Sequence, residues 1–152
     1  MKTIALGLLF LQGGSAFPSL LGCDREVEVG SMIMSAAAVM DSSRSLVIER
    51  DGEVLTCGES TYVPGETLLA RIDDVSSVRY IMEISGGSFQ SECDGSSCDG
   101  LRCAKGNNAF PDDSGEMFTA PTDGSDLILS GGFATGFGTV SIMAHCMLTS
   151  AA

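Results

Sequence analysis

The sequence predicts an all-β fold, an antiparallel β-sandwich stabilised by disulfides. Three observations carry this. Apolar and polar residues alternate over short runs; Gly, Pro and Asp pairs punctuate those runs; and six cysteines, an even number, follow an apolar N-terminal segment. The 152 residues are 44% hydrophobic, with 19 Gly, no Trp and a mean hydropathy of +0.26, which excludes wholesale disorder and suits one domain.

The N-terminus reads as a secretory signal peptide. Lys2 gives a positive start, Ile4–Leu11 is an apolar run, and Gly14 and Ala16 place small residues at −3 and −1 of a cut before Phe17. The run is too short to cross a hydrocarbon core of roughly 30 Å. Residues 1–16 are therefore expected to be removed, leaving 17–152 as a single secreted domain. Leu20-Leu21-Gly22-Cys23 offers a lipobox-like alternative, but Leu21 stands where a small residue is usual, and lipidating Cys23 leaves an odd number of thiols. No later stretch approaches about 18 apolar residues, so no membrane insertion is expected.

The elements follow in order. Met32–Met40, with its alanine triplet, suits a helix or a strand equally. Ser45–Glu49 and Glu53–Cys57 are strands joined by Asp51-Gly52, the signature of a two-residue type I′ hairpin. Pro64-Gly65 suits a type II turn, with Pro setting φ and Gly accepting a positive one. Thr67–Ile72 comes next. Then Val78–Ile84 places Val78, Tyr80, Met82 and Ile84 on one face, with Arg79 and Glu83 on the other. Past the turns at Gly86-Gly87 and Pro111-Asp112 lies Glu116–Ala120, and past Asp123-Gly124 lies Asp126–Ser130. Gly131–Gly138 reads as a hairpin loop. Thr139–Leu148 closes the chain: Val140, Ile142, Ala144, Cys146 and Leu148 share one face, with Ser141, Met143, His145, Met147 and Thr149 opposite.

Secretion makes the cysteines readable as disulfides. Cys23, Cys57, Cys93, Cys98, Cys103 and Cys146 predict three bridges, with fifteen connectivities open. Cys93, Cys98 and Cys103 lie in Ser91–Gly106, a Gly/Ser/Asp-rich stretch with little core of its own, which a cross-link would pin. Zinc is disfavoured, because the spacing lacks CxxC pairs and histidine partners.

One distributed pattern resembles a known family. Tyr62-Val63-Pro64-Gly65, the strand Tyr80–Ile84, Gly87-Ser88-Phe89, a cysteine-bearing loop, Ala120-Pro121 and the closing strand Thr139–Ile142 are similar in order and spacing to the reeler (reelin N-terminal) domain. The likeness covers roughly Cys23 to Leu148. Thr119 stands where the family often carries tryptophan, and the three clustered cysteines are extra. The resemblance implies an Ig-like β-sandwich serving as an extracellular recognition or structural module, with no catalytic residues to carry over.

The chemistry-bearing groups are few. Twenty acidic against eight basic residues give a net charge of −12, which disfavours nucleic acid and anionic membranes as partners. His145 is the one imidazole, and no Gly-x-Ser-x-Gly elbow accompanies it, so an enzyme is not expected. At strand spacing Met143, His145 and Met147 project from one face roughly 6.6 Å apart in turn, a donor set that suits Cu(I). Packing methionines beside a hydrogen-bonded histidine are the plainer reading. Asp73-Asp74, Asp94, Asp99, Asp112-Asp113, Asp123 and Asp126 sit at expected turns, where carboxylates hold Ca²⁺ or simply cap their own backbone. No N-glycosylation sequon occurs. Phe133 and Phe137 share the Gly-rich loop, where exposed rings would form a contact tip and buried ones would belong to the core.

The expected function is a secreted, non-catalytic recognition or structural module with no cofactor, its partner an extracellular protein or glycan. The rivals are a metal-binding protein, with Cu(I) at Met143, His145 and Met147 or Ca²⁺ at the acidic turns, and a small secreted hydrolase using His145.

Overall fold

The computed structural model describes residues 23, 27, 32–33, 36–73, 79–91, 93, 98–105, 115–134 and 140–151. The expected signal peptide lies outside the described residues.

Among them the chain is all β, with thirteen strands and no helix. In chain order they are β1 (Met32–Ile33), β2 (Ala36–Met40), β3 (Leu46–Arg50), β4 (Glu53–Leu55), β5 (Thr61–Tyr62), β6 (Thr67–Ile72) and β7 (Arg79–Ile84). Then come β8 (Ser88–Phe89), β9 (Arg102–Lys105), β10 (Glu116–Thr119), β11 (Leu127–Ala134), β12 (Val140–Ile142) and β13 (Cys146–Ser150). Met32–Met40, open between helix and strand on sequence, is β1 and β2. No described helix is long and apolar enough to cross a membrane.

Two sheets form. The five-stranded sheet runs β4-β3-β6-β10-β8. In the eight-stranded sheet β11 is central: β7 and then β9 lie on one side, while β12 and β13 share the other side end to end, extended by β2 and β1 and by β5. Most ladders are antiparallel as expected, but β12 pairs β2 and β13 pairs β5 in parallel.

The turn chemistry acts where the sequence places it. Asp51 and Gly52 take φ of 49° and 83°, the two positive values a type I′ turn requires, and close the β3–β4 hairpin with Arg50 opposite Glu53. Gly65 takes φ 78° after Pro64, and Glu66 N donates to Val63 O at 3.0 Å.

The core lies between the sheets. Leu46, Ile48, Leu68, Ala70, Ile72 and Phe118 of one face Tyr62, Tyr80, Met82, Ile84, Leu127, Leu129, Phe133 and Leu148 of the other. Strand alternation puts these side chains inward, and each large apolar side chain so buried contributes about 1.5–3 kcal/mol against unfolding.

The eight-stranded sheet also buries its outer face. One cross-strand row there reads Met40, Ile142, Gly132, Ile81 and Ala104, and the next reads Ala38, Val140 and Ala134. Ile81, Ala104, Ala134, Val140, Ile142 and Ala38 are buried together with Val27, as a second apolar layer. Tyr80-Ile81-Met82 is therefore buried on both faces, which the simple alternation of this strand does not anticipate.

Three other expectations need correcting. The Cys-bearing stretch Ser91–Gly106 contains β9, whose Cys103 and Ala104 are buried in the sheet. The Gly-rich segment expected as a loop continues β11 as far as Ala134, while 135–139 lie outside the described residues. The closing strand is broken. Ile142 faces Gly132 and Cys146 faces Leu129, so three residues (143–145) oppose two (130–131), a one-residue β-bulge. The extra residue shifts the phase of the strand, so the expected single face splits: Val140 and Ile142 join the outer layer with Ala144 exposed, while Met143, Cys146 and Leu148 face the core.

Candidate functional site

Of the residues that carry the family resemblance, those at Tyr62–Gly65, Gly87 and Ala120-Pro121 come together at one corner, while Tyr80–Ile84 and Val140–Ile142 lie along β7 and β12. Tyr62 is fully buried, and its hydroxyl donates to the carbonyl of Ser125 in the turn before β11. Burial pushes the Tyr62 phenol pKa upward. Gly65 N donates to Pro121 O at 3.1 Å, and Ala120 N to Glu66 O at 2.8 Å. Glu66 binds back to the turn, accepting Val63 N at 2.7 Å, and takes Arg50 in two hydrogen bonds of 2.8 and 2.6 Å. Those Arg50 bonds hold the Glu66 carboxyl below its ordinary value. Gly87 lies against the same corner with φ 89°, where a Cβ would stand 2.0 Å from Thr119 O. The motif residues thus knit turns together.

The copper-type triad is not brought together as one face. Met143 is 0% exposed in the core, while His145 and Met147 face solvent. The bulge is the cause, since it moves Met143 to the face opposite His145. A soft metal at this strand would find His145 and Met147 without Met143. His145 has no thiol to activate, because all six cysteines are in disulfides: Cys23–Cys98, Cys57–Cys146 and Cys93–Cys103.

The acidic turns divide. Asp123 Oδ1 accepts Ser125 N at 3.0 Å and Ser125 Oγ at 2.7 Å, and those bonds hold its pKa below the ordinary value. Asp41 does the same with the hydroxyl and N–H of Ser43, again with a lowered pKa. Asp73 pairs with Arg71 at 2.9 Å. Asp99 and Asp126 are exposed. Asp74, Asp94, Asp112 and Asp113 lie outside the described residues. Among the described residues no three His, Cys, Asp or Glu side chains are grouped to hold a metal.

Phe133 is 8% exposed and packs in the core from β11, so it forms no contact tip; Phe137 lies outside the described residues.

Sequence reasoning missed two buried ionic groups. Glu116 on β10, 3% exposed, accepts the Tyr80 hydroxyl on β7 and pairs with Lys105 on β9 at 2.5 Å, joining the two sheets. On the outer face Arg102, 2% exposed, pairs with its cross-strand neighbour Glu83, donating from Nε at 2.8 Å. The available signal was an Arg and a Lys flanking Cys103-Ala104, a strand pattern hidden inside a loop-like composition.

No protein-family model matches the chain, and no curated protein does. Among solved structures, the reelin-N domain of F-spondin is similar with a TM-score of 0.56 at 12% identity, covering 76% of this chain and 92% of that one. The chain has the reeler-domain fold. A human F-spondin reeler domain (fragment 2) is 13% identical over the same shares, with a TM-score of 0.49. Within the reeler fold of this chain, Tyr62, Gly65, Gly87 and Pro121 join one turn to the next.

Proposed function

We propose that this chain is a secreted extracellular module that recognises a protein or glycan, or serves a structural role, without catalysis. The reeler fold closed by three disulfides carries this reading. Bridges of this kind persist in oxidising compartments, and together they use all six cysteines. The acidic sequence suits a partner other than nucleic acid. His145, the one imidazole, is exposed beside the bulge, and no cysteine is free to act as its nucleophile.

Expression of the full chain through a secretory route tests this. The product should leave the cell, begin at Phe17 and contain no free thiol when denatured. Thermal melts of that product against Ca²⁺, Cu(I), EDTA and soluble polysaccharides then seek the ligand. A ligand at about 100 times its Kd adds about 2.7 kcal/mol and raises the midpoint by several degrees. Retention inside the cell, or free thiols in the native product, overturns the extracellular assignment. A hydrolytic turnover that His145→Ala abolishes overturns the non-catalytic one.

A further inference from the structure

The three disulfides differ in access. Cys57–Cys146 and Cys93–Cys103 each have one buried partner, Cys146 at 1% and Cys103 at 0% exposure. Attack on the buried sulfur is blocked, and attack on its outer partner expels a thiolate into the protein interior, where an unsolvated charge is costly. In Cys23–Cys98 neither partner is buried: Cys23 is exposed and Cys98 half-buried. A thiolate can approach this bond from the exposed Cys23, and the departing Cys98 lies outside both apolar clusters.

The two ends of that bond are held differently. Cys98 and Asp99 take φ of 50° and 59°, followed by Gly100 at 85°, a run that L side chains rarely adopt. Leu101 N closes the turn on Cys98 O at 3.1 Å, and strands hold it from outside through Phe89 N to Gly100 O at 2.8 Å and Ile84 N to Leu101 O at 2.9 Å. Cys23 lies four residues before Val27, which is 1% exposed in the second apolar layer. The bond thus fixes Cys23, four residues from Val27 in sequence, to a turn held by the fold.

We propose that Cys23–Cys98 is a site of thiol–disulfide exchange with a low-molecular-weight extracellular thiol, and that its opening loosens Val27 from the outer apolar layer. The thiolate attacks the Cys23 sulfur, forming a mixed disulfide as the Cys23–Cys98 bond breaks and the electron pair leaves on Cys98. A second thiolate attacks the mixed disulfide at the small thiol's sulfur and releases Cys23 as a thiolate. The protein disulfide gains two electrons, and two small thiols become one small-molecule disulfide. Because the Cys98 turn is held by backbone bonds, its sulfur stays in position and the exchange is reversible.

The test uses the mature native protein with graded 2-mercaptoethanol, quenched by iodoacetamide and mapped by mass spectrometry. Cys23 and Cys98 should be alkylated at about tenfold less thiol than the other four cysteines. In the same range, anilinonaphthalene sulfonate fluorescence should rise while the far-ultraviolet β signal holds. A Cys23→Ser, Cys98→Ser variant should lack the first alkylation step and bind dye without thiol. First modification at Cys57, Cys146, Cys93 or Cys103, or all six opening together, overturns the exchange site. Opening of Cys23–Cys98 with no dye response overturns the tether to Val27. The wild-type map decides the first point even where the double variant does not fold.

Discussion

Tyr80 on β7 and Glu116 on β10 meet between the two sheets, the phenol hydrogen donated to the same carboxylate oxygen that Lys105 of β9 approaches at 2.5 Å. The five-stranded and eight-stranded sheets otherwise face each other through apolar side chains. A charge buried to 3% exposure is tolerated there because a cation and a hydroxyl satisfy it, and the arrangement fixes one sheet relative to the other.

Removing either partner should therefore cost more than the net worth of the bond. Tyr80→Phe keeps the ring and removes the donor, and should lower stability by about 1–2 kcal/mol. Glu116→Leu removes the carboxylate that accepts the Tyr80 hydroxyl and should lower it by about 1–3 kcal/mol, while Lys105, 27% accessible, reaches water. The double variant should lose less than the sum, with a coupling of at least about 0.5 kcal/mol in urea melts. Strict additivity would mean that the two groups do not interact in solution.

Gly87 and Gly58 form a matched pair for the corner. Both take positive φ, 89° and 80°, but a Cβ at Gly87 meets Thr119 O at 2.0 Å and one at Gly58 meets nothing within 4 Å. Gly58→Ala should cost about 1 kcal/mol, the backbone penalty alone. Gly87→Ala adds a clash with backbone that cannot yield, and should cost more than about 3 kcal/mol or prevent folding. Equal midpoints for the two variants would remove Gly87 from the corner.

Much of this fold is legible in the sequence, and the reason is local. Thr67–Ile72 alternates cleanly because Leu68, Ala70 and Ile72 face one core while Arg71 faces Glu49 and Asp73 outside. Asp51-Gly52 encodes its own turn. What escapes is set by distant residues. Ile81 is buried by a second layer that includes Val27, more than fifty residues earlier in the chain. Cysteine pairing joins positions 75 and 89 apart, which spacing alone does not rank. The bulge at 143–145 leaves no mark in the alternation of Ile142, Ala144 and Cys146, so alternation alone assigns Met143 to the wrong face. The candidate site is legible only as thin chemistry: His145 is the one imidazole, exposed beside the bulge, and Tyr62, Gly65 and Pro121 hydrogen-bond between turns.

The bulge itself is testable by methionine truncation. Met143 is fully buried and Met147 is 40% exposed, although strand alternation would place them alike. Met143→Ala should cost about 2–4 kcal/mol by leaving a cavity between the sheets, about 6–12 °C in midpoint for a domain of this size. Met147→Ala should fall within about 0.5 kcal/mol of wild type. Similar small losses for both would restore an unbroken strand and one face for Met143, His145 and Met147.

The Arg50–Glu66 pair gives the corner a pH dependence of definite sign. Arg50 hydrogen bonds first, then the Val63 N–H and the Arg50 charge, lower the Glu66 pKa from the ordinary 4.5 in the folded state against the opposing effect of burial. The unfolded chain then binds protons more readily in acid, so the contribution is fully present above about pH 4.5 and is lost as pH falls through the folded value. Arg50 is 34% exposed, so solvent screening keeps the magnitude near about 1 kcal/mol even with two bonds. Glu66→Gln should be less stable than wild type by that amount at neutral pH. The gap should narrow below about pH 4.5 and close in stronger acid, read from urea midpoints across the range. Asp41 and Asp123 titrate in the same direction from a lower ordinary value of 3.8, and the variant retains their contribution. A gap that stays constant at every pH would show that packing at position 66, and not its charge, holds the Tyr62–Gly65 turn.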